Sequence, residues 1–416
     1  MPKTGSGFYR RKEGHPDWDA LEERASLLVR QVRESADLRS TLPEHAAQAW
    51  RVAKGLATFA RSAWVNHHRL KRGEHFLLPP YFIWTMHNRC NFRCTYCDNH
   101  AFRGYYDLPE VQPLDLERGK RLLEVAGRNV SGVYFCGGEP TLHQSLPEYA
   151  EHAARVGYFP IMINTNGSRF HRILPDPRYS RLLKNLDIII VSLDALDLDR
   201  LAEVWAVKRD LCEQVMVNIL ALRSLQDDVR FKLMVNTVIT PQTVGEADSI
   251  LDWANERGIW YSPVPMNRGP GIDEALKHDP AYAELCEKII ERKKAGYKVL
   301  GSRRLIEGLL TGRPIRCFPS LIPHVDGDGH TYWPCKAASK IEPVKLNVLE
   351  YDSFDSLYRD AERMISVKDI HGHGPGQCGA DCQWMQNYVS DALAAGIEHP
   401  LSSGALREIM EFIGAV

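Results

Sequence analysis

Cys90, Cys94 and Cys97 stand in C-x3-C-x2-C spacing within the segment MHNRCNFRCTYCDNH, and YFCGGEPTLH follows at Tyr134–His143. Three thiolates so close along the chain can hold three irons of a cubic cluster and leave the fourth iron open to an outside ligand. A zinc site, or a redox-active pair at Cys94 and Cys97, is the other chemistry such thiols support. Zinc closes its site with four ligands, of which His100 could be the last, but that use leaves the run Gly137, Gly138, Glu139, Pro140 without a purpose.

Four more cysteines sit in the last hundred residues: Cys317, Cys335, Cys378 and Cys382. Brought together by a small loop-rich unit, four thiolates complete every ligand of an auxiliary iron–sulfur cluster, or of a structural zinc. Cys136, Cys212 and Cys286 read as small buried hydrophobes.

With the cysteine triplet and the glycine-rich run in hand, the chain resembles the radical S-adenosylmethionine (SAM) superfamily. The resemblance implies a [4Fe–4S] cluster on Cys90, Cys94 and Cys97, chelated by SAM. It also implies reductive cleavage of SAM to a 5′-deoxyadenosyl radical, and a one-electron donor such as flavodoxin or ferredoxin. It places Tyr96 near the adenine and has Gly137, Gly138, Glu139 and Pro140 form the strand end that holds the methionine amino group. Asn164 and Ser192, at two further strand ends, would contact the ribose and carboxylate. Asp194 is either such a contact or the N-cap of a following helix. Asn236 and Val238 would face the adenosine, although packing in a strand interior also suits Val238. The last four cysteines resemble a twitch domain, the shortened SPASM domain of radical SAM dehydrogenases, with an auxiliary [4Fe–4S] cluster. Two features depart from that pattern: the final pair is C-x3-C, and the seven cysteines of a full SPASM domain are absent.

These residues need a scaffold that brings strand ends together. Short apolar runs at Tyr81–Met86, Gly132–Cys136, Phe159–Asn164, Asp187–Leu193, Phe231–Ile239 and Ile259–Val264 alternate with helical stretches near Asp115–Ala126, Leu146–Val156, Leu211–Leu225, Glu246–Arg257 and Tyr282–Lys294. This rhythm predicts an α/β fold, a partial (β/α)6 TIM-like barrel of parallel strands over 79–300, with ligands at the carboxyl ends of the strands. An N-terminal helical extension (1–78) precedes it, with helices near Asp17–Val32 and Glu44–Leu70. A small α+β cluster-binding domain follows over 301–416. There His324–Trp333 reads as a hairpin, Asn347–Met364 as a strand and helix, and His371–Gln377 as a glycine-rich loop.

On the helix Glu44–Leu70, Trp50, Ala53, Leu56, Ala57, Ala60, Trp64 and Val65 recur at helical spacing, and Arg51, Lys54, Arg61, His68, Arg69, Lys71 and Arg72 make the rest basic. The expectation is an apolar face docked on the barrel with the basic face in water. Peripheral membrane contact through 44–72 is the alternative.

Basic and acidic residues number 52 and 53, with net charge −1, so no polyanionic partner is indicated and no nucleic acid is expected. Met1–Glu13 shows no secretory leader and no uncharged apolar run is long enough to span a membrane, which predicts a cytoplasmic protein with reduced thiols. A single auxiliary cluster suits net oxidation of a small polar molecule such as a sugar, cyclitol or nucleoside, with His143 or Arg316 as base or substrate ligand. For His143, capping of the following helix is an equal use. A peptide precursor or a lipid are the other enzymatic substrates considered. A zinc-bound scaffold or nucleic-acid module is the non-enzymatic reading.

Overall fold

The computed structural model describes residues 14–35, 38, 41–97, 111–269, 271–336, 341–370, 378 and 382–400. His100, Met1–Glu13 and the glycine-rich loop His371–Gln377 lie outside them.

Six parallel strands form the barrel wall in chain order: β1 (Tyr81–Thr85), β2 (Gly132–Cys136), β3 (Ile161–Thr165), β4 (Ile188–Ser192), β5 (Lys232–Ile239) and β6 (Trp260–Pro265). Alternation along each strand sends one set of side chains outward under the helices and the other into the lumen. Phe82, Trp84, Val133, Phe135, Ile161, Ile163, Ile189 and Val191 form the outward set and are fully buried. There Trp84 packs on Tyr149 of the helix Leu146–Val156, ring centroids 4.8 Å apart. The inward set, Ile83, Tyr134, Met162, Ile188, Ile190 and Met234, lines a cavity. After β6 come the short pair β7 (Asn267–Arg268) and β8 (Gly271–Ile272).

The C-terminal strands do not stand apart. The strand β9 (His324–Val325) pairs in parallel with β1, and β10 (His330–Trp333) and β11 (Val344–Asn347) continue antiparallel from it, so one nine-stranded sheet runs β11-β10-β9-β1 to β6. The expected hairpin is therefore present as β9 and β10. The strand expected to begin at Asn347 instead ends there, and the helix occupies Phe354–Met364.

Two helices precede the barrel. The first, α1 (Trp18–Ser35), buries Leu21, Leu28, Val29 and Val32 and packs against the helix Arg209–Leu225. The second, α2 (Leu42–Lys71), begins with a capping box between Thr41 and Glu44 and crosses the amino-terminal end of the barrel.

The orientation of α2 overturns the expected one. Arg51, Gly55, Ser62, Asn66 and Arg69 are buried, whereas Trp50 is 52%, Leu56 48% and Trp64 65% exposed. Polar groups make the contact. Arg51 donates from two nitrogens to Asp187, each at 2.7 Å, and also to the carbonyl of Tyr158; Ser62 donates to Asn129 O; Asn66 donates to Leu78 O. Burial pushes the Asp187 carboxyl upward, against the pull of Arg51 and of Ile161 N–H. Replacing Arg51 by Ala strands that buried carboxylate, a loss of about 3–5 kcal/mol by analogy with broken buried pairs. Urea unfolding of the Arg51→Ala protein should show it as a lower midpoint. A midpoint within the error of the parent would refute the docking role.

Candidate active site at the barrel mouth

The cysteine loop is held from two sides. On one side its backbone runs against the end of β2: Gly138 N donates to His87 O and Glu139 N to Arg89 O, both at 2.8 Å. A Cβ on Gly137 would lie 2.5 Å from His87 O, and one on Gly138 only 2.0 Å from Arg89 O. The two glycines thus serve close approach between main chains. On the other side, Thr95 N donates to Val204 O at 2.9 Å, and Phe92 packs on Trp205, ring centroids 5.2 Å apart.

Two buried carboxylates lock these contacts. Glu139 accepts from Thr141 N–H and hydroxyl, from the Thr165 hydroxyl and from Asn166 N–H, which ties the end of β2 to the end of β3. Burial pushes its carboxyl above the usual carboxylate range, opposed by these donors. Asp194 accepts from Tyr96 OH and Trp205 Nε1, each at 2.5 Å, and from Val238 N–H at 2.7 Å. The helix beginning at Leu198 is capped by Asp197 instead. Asp194 is thus a hub joining the cysteine loop to β4 and β5, and neither a helix cap nor a residue of the cavity lining.

Burial pushes the Asp194 carboxyl up to about 6, with its three donors acting in the opposite direction. Its folded value lies above its ordinary 3.8, so the folded chain holds the proton that the unfolded chain releases between those limits, and stability declines as pH rises from about 4 to 6. In Asp194→Asn this slope should vanish. At pH 7 an amide turned toward one of the three donors leaves it unsatisfied, costing about 1–3 kcal/mol. Thermal melts across pH 4–8 check both effects, and an unchanged slope would remove Asp194 from this role.

The three thiols are mutually within electrostatic reach and partly buried. Burial pushes Cys90 up to about 11 and Cys94 further, with Cys97 and Asp194 or Glu139 adding negative charge nearby. Cys90 accepts from Phe92 N–H and from Asn166 Nδ2, which also donates to Asn91. No group of three or more metal-type ligands among the described residues is drawn to single-ion spacing. Three neighbouring thiols are the donor set that a cubic cluster with one open iron takes, whereas a structural zinc asks for a fourth protein ligand. A second fit comes from Asn164, whose side-chain oxygen is buried without a partner among the described residues, as suits an acceptor awaiting a ligand hydroxyl.

Tyr96, Cys97, Asn164, Asn236 and Val238 line the top of a cavity of about 660 Å³ that fills the barrel lumen. Val238, for which packing in a strand interior was the alternative, faces this space. Ser192 pairs in register with Asn236 but is not among the lining residues. His143 stacks on His87 and accepts Ser145 N–H through Nδ1, just ahead of the helix Leu146–Val156, and does not line the cavity. Arg316 pairs with Glu398 and Asp391 and also lies off the cavity. Neither of these two expected bases is among the residues that line the cavity.

The four C-terminal cysteines also converge. The Cys317 thiol is pushed well above its usual range by burial and then by Cys335, Cys382 and Cys378, which places all four in one locale. Cys382 accepts from Asn387 Nδ2 at 3.0 Å. Trp384, Met385 and Gln386, just after it, reach the barrel cavity. Cys212 and Cys286 are buried as expected, while Cys136 is half-buried beside the Thr85 hydroxyl.

Several residues that matter here escaped sequence reasoning. Asn166 belongs to the same MINTNG segment as Asn164 and was distinguishable only by its contact with Cys90. Asp326, which accepts from Tyr332 OH and Lys336 Nζ close to Cys136, carried no motif.

Residues 84–254 match the radical SAM superfamily model. The chain carries a radical SAM domain. It is 38% identical over 130 residues to GTP 3′,8-cyclase of Chlorobaculum tepidum, covering 30% of this chain and 36% of that one. It is 28% identical over 221 residues to Fe-coproporphyrin III synthase of Methanosarcina barkeri, covering 52% of each. The chain thus spans about half the length or less of these curated relatives. Among solved structures, Streptococcus suis SuiB bound to precursor peptide SuiA matches with TM-score 0.53 and 17% identity, over 70% of this chain and 67% of that one. The anSMEcpe structure with bound AdoMet matches with TM-score 0.50 and 17% identity, over 81% and 96%. At that identity the likeness is one of fold. The cofactors of the radical SAM family are a [4Fe–4S] cluster and SAM. Among the described residues no helix is long and apolar enough to cross a membrane.

Proposed function

We propose that the protein abstracts a hydrogen atom from a substrate held in the barrel lumen. In this reading Cys90, Cys94 and Cys97 hold the SAM-binding cluster, and Cys317, Cys335, Cys378 and Cys382 hold an auxiliary one. When bound, the first cluster and SAM supply the one-electron chemistry that removes hydrogen from an unactivated carbon. The chain's own part is to fix the thiols through Gly138, Glu139 and Asp194, to offer Asn164 and Asn236 as polar contacts, and to exclude water with an apolar lumen. The observation that carries the reading is the triplet's position: Cys97 opens onto a cavity of about 660 Å³ whose top also presents the unpartnered Asn164 oxygen.

Net two-electron oxidation is the reaction we favour, because the four gathered thiols lie near Trp384 and Met385 of the same cavity, where a cluster held by them would supply an electron acceptor. A polyol substrate suits that cavity poorly, since its described lining is mostly apolar, with few amides and hydroxyls such as Asn164, Asn236 and Ser262. Anaerobically purified protein is expected to hold about eight irons and eight sulfides and to release 5′-deoxyadenosine from SAM under a low-potential reductant. Zinc in place of iron, or no cleavage of SAM, would overturn the proposal.

A further inference from the structure

The lumen and the outer face of α2 meet. Between Glu44 and Glu74 the chain has no acidic residue. The helix nonetheless turns Arg51 inward to Asp187 and Arg69 inward to Asp355, and leaves Trp50 and Trp64 more than half exposed. Turning guanidinium groups to the protein and indoles to solvent is the reverse of ordinary docking, and it gives the outer surface an apolar stripe with basic flanks. Lys54, which also donates to Val156 O, lies over the Trp50 ring at 5.0 Å, and Arg72, paired with Glu74, is exposed at the helix end. Cationic flanks beside interfacial tryptophans fit an anionic bilayer surface.

Val52, Leu56 and Phe59 of the same helix also line the lower end of the barrel cavity, whose upper end is lined by Cys97 and Asn164. Between them Met162, Ile188, Ile190 and Met234 keep the walls apolar. A five-residue strand spans roughly 16 Å, the reach of a long acyl chain, and the cavity volume lies within the roughly 300–1,000 Å³ of ligand sites. The lumen is thus an apolar passage leading from the exposed stripe to the cysteine triplet.

We propose that α2 lies on a lipid surface and that the lumen draws in the apolar chain of a lipid from it. That the drawn-in chain carries the attacked carbon rests on the radical reading above. The binding itself does not.

The test uses the full chain with vesicles of phosphatidylcholine containing phosphatidylglycerol, and a fluorescent polyene fatty acid as the lumen probe. The parent protein should bind the anionic vesicles, less so as salt rises, and should bind the probe. Trp50→Glu with Trp64→Glu should weaken vesicle affinity about tenfold or more while leaving probe binding and iron content unchanged. Leu56→Trp, at the lower entrance, should do the opposite, and Met162→Trp provides a second block within the lumen. Failure of the parent protein to bind either vesicles or probe would overturn the proposal. So would a concentration-dependent dimer that the double glutamate variant dissolves, because the stripe would then be covered by a second copy. Because these readouts need neither reductant nor SAM, a missing 5′-deoxyadenosine signal would count against the radical reading alone.

Discussion

Cys97→Ala is expected to abolish SAM cleavage altogether and to lower the iron content from about eight to about four per chain. Three thiols are the fewest that leave one corner of a cubic cluster open while holding the others, and Cys97 is the member of the triplet that lines the lumen. The remaining thiols cannot compensate. Cys90 accepts hydrogen bonds from Phe92 and Asn166, and burial makes both Cys90 and Cys94 weaker acids than an ordinary thiol. A metal must therefore displace protons from partly buried sulfur, which it does only when several thiolates share its charge. Cys382→Ala provides the contrast: iron should fall by a similar amount, yet 5′-deoxyadenosine should still form while substrate product fails to accumulate. Iron and sulfide assays paired with product analysis separate the two variants. Retention of SAM cleavage by Cys97→Ala would refute the assignment of the triplet.

What the sequence discloses, and what it withholds, follows from the range of the interactions. The barrel strands are legible because each carries its own signal, an apolar run such as Ile188–Val191 bounded by helical periodicity. The triplet and Gly137–Pro140 are legible because their spacing is local. The face by which α2 docks is not, since periodicity tells which residues share a side of a helix and says nothing of which side meets the protein. Arg51 is buried because Asp187, 136 positions later, waits at the foot of β4. Asp194 and Asp197 show the same limit at short range. Both follow β4 within one SLDALD segment, yet one caps a helix and the other joins three elements. Only the position of Tyr96 and Trp205 in space distinguishes them. The extension of the sheet by β9 beyond β1 also depends on a pairing across more than two hundred residues, such as Ile83 with His324.

Gly138→Ala should be the most damaging added methyl among the described glycines. Its new Cβ would lie 2.0 Å from Arg89 O and 2.4 Å from the carbon of the same carbonyl, both main-chain atoms that cannot rotate aside. Relief requires the segment before Cys90 to move away from β2, and that movement breaks the 2.8 Å bonds from Gly138 N to His87 O and from Glu139 N to Arg89 O. The second bond matters further, because Glu139 is fixed by Thr141, Thr165 and Asn166 and Asn166 in turn reaches Cys90. Displacement of the loop therefore spreads to the thiol itself. Each lost buried bond costs about 1–3 kcal/mol, and ligands shifted by about 1 Å no longer meet the tolerance that metal coordination sets. The expected result is a folded but less stable protein that reconstitutes the auxiliary cluster and not the first, retaining about half the iron. Gly245→Ala is the control, since a Cβ there meets nothing within 4 Å. Full iron and normal SAM cleavage in Gly138→Ala would show that the glycine run serves ligand contact alone and not the positioning of the cysteine loop.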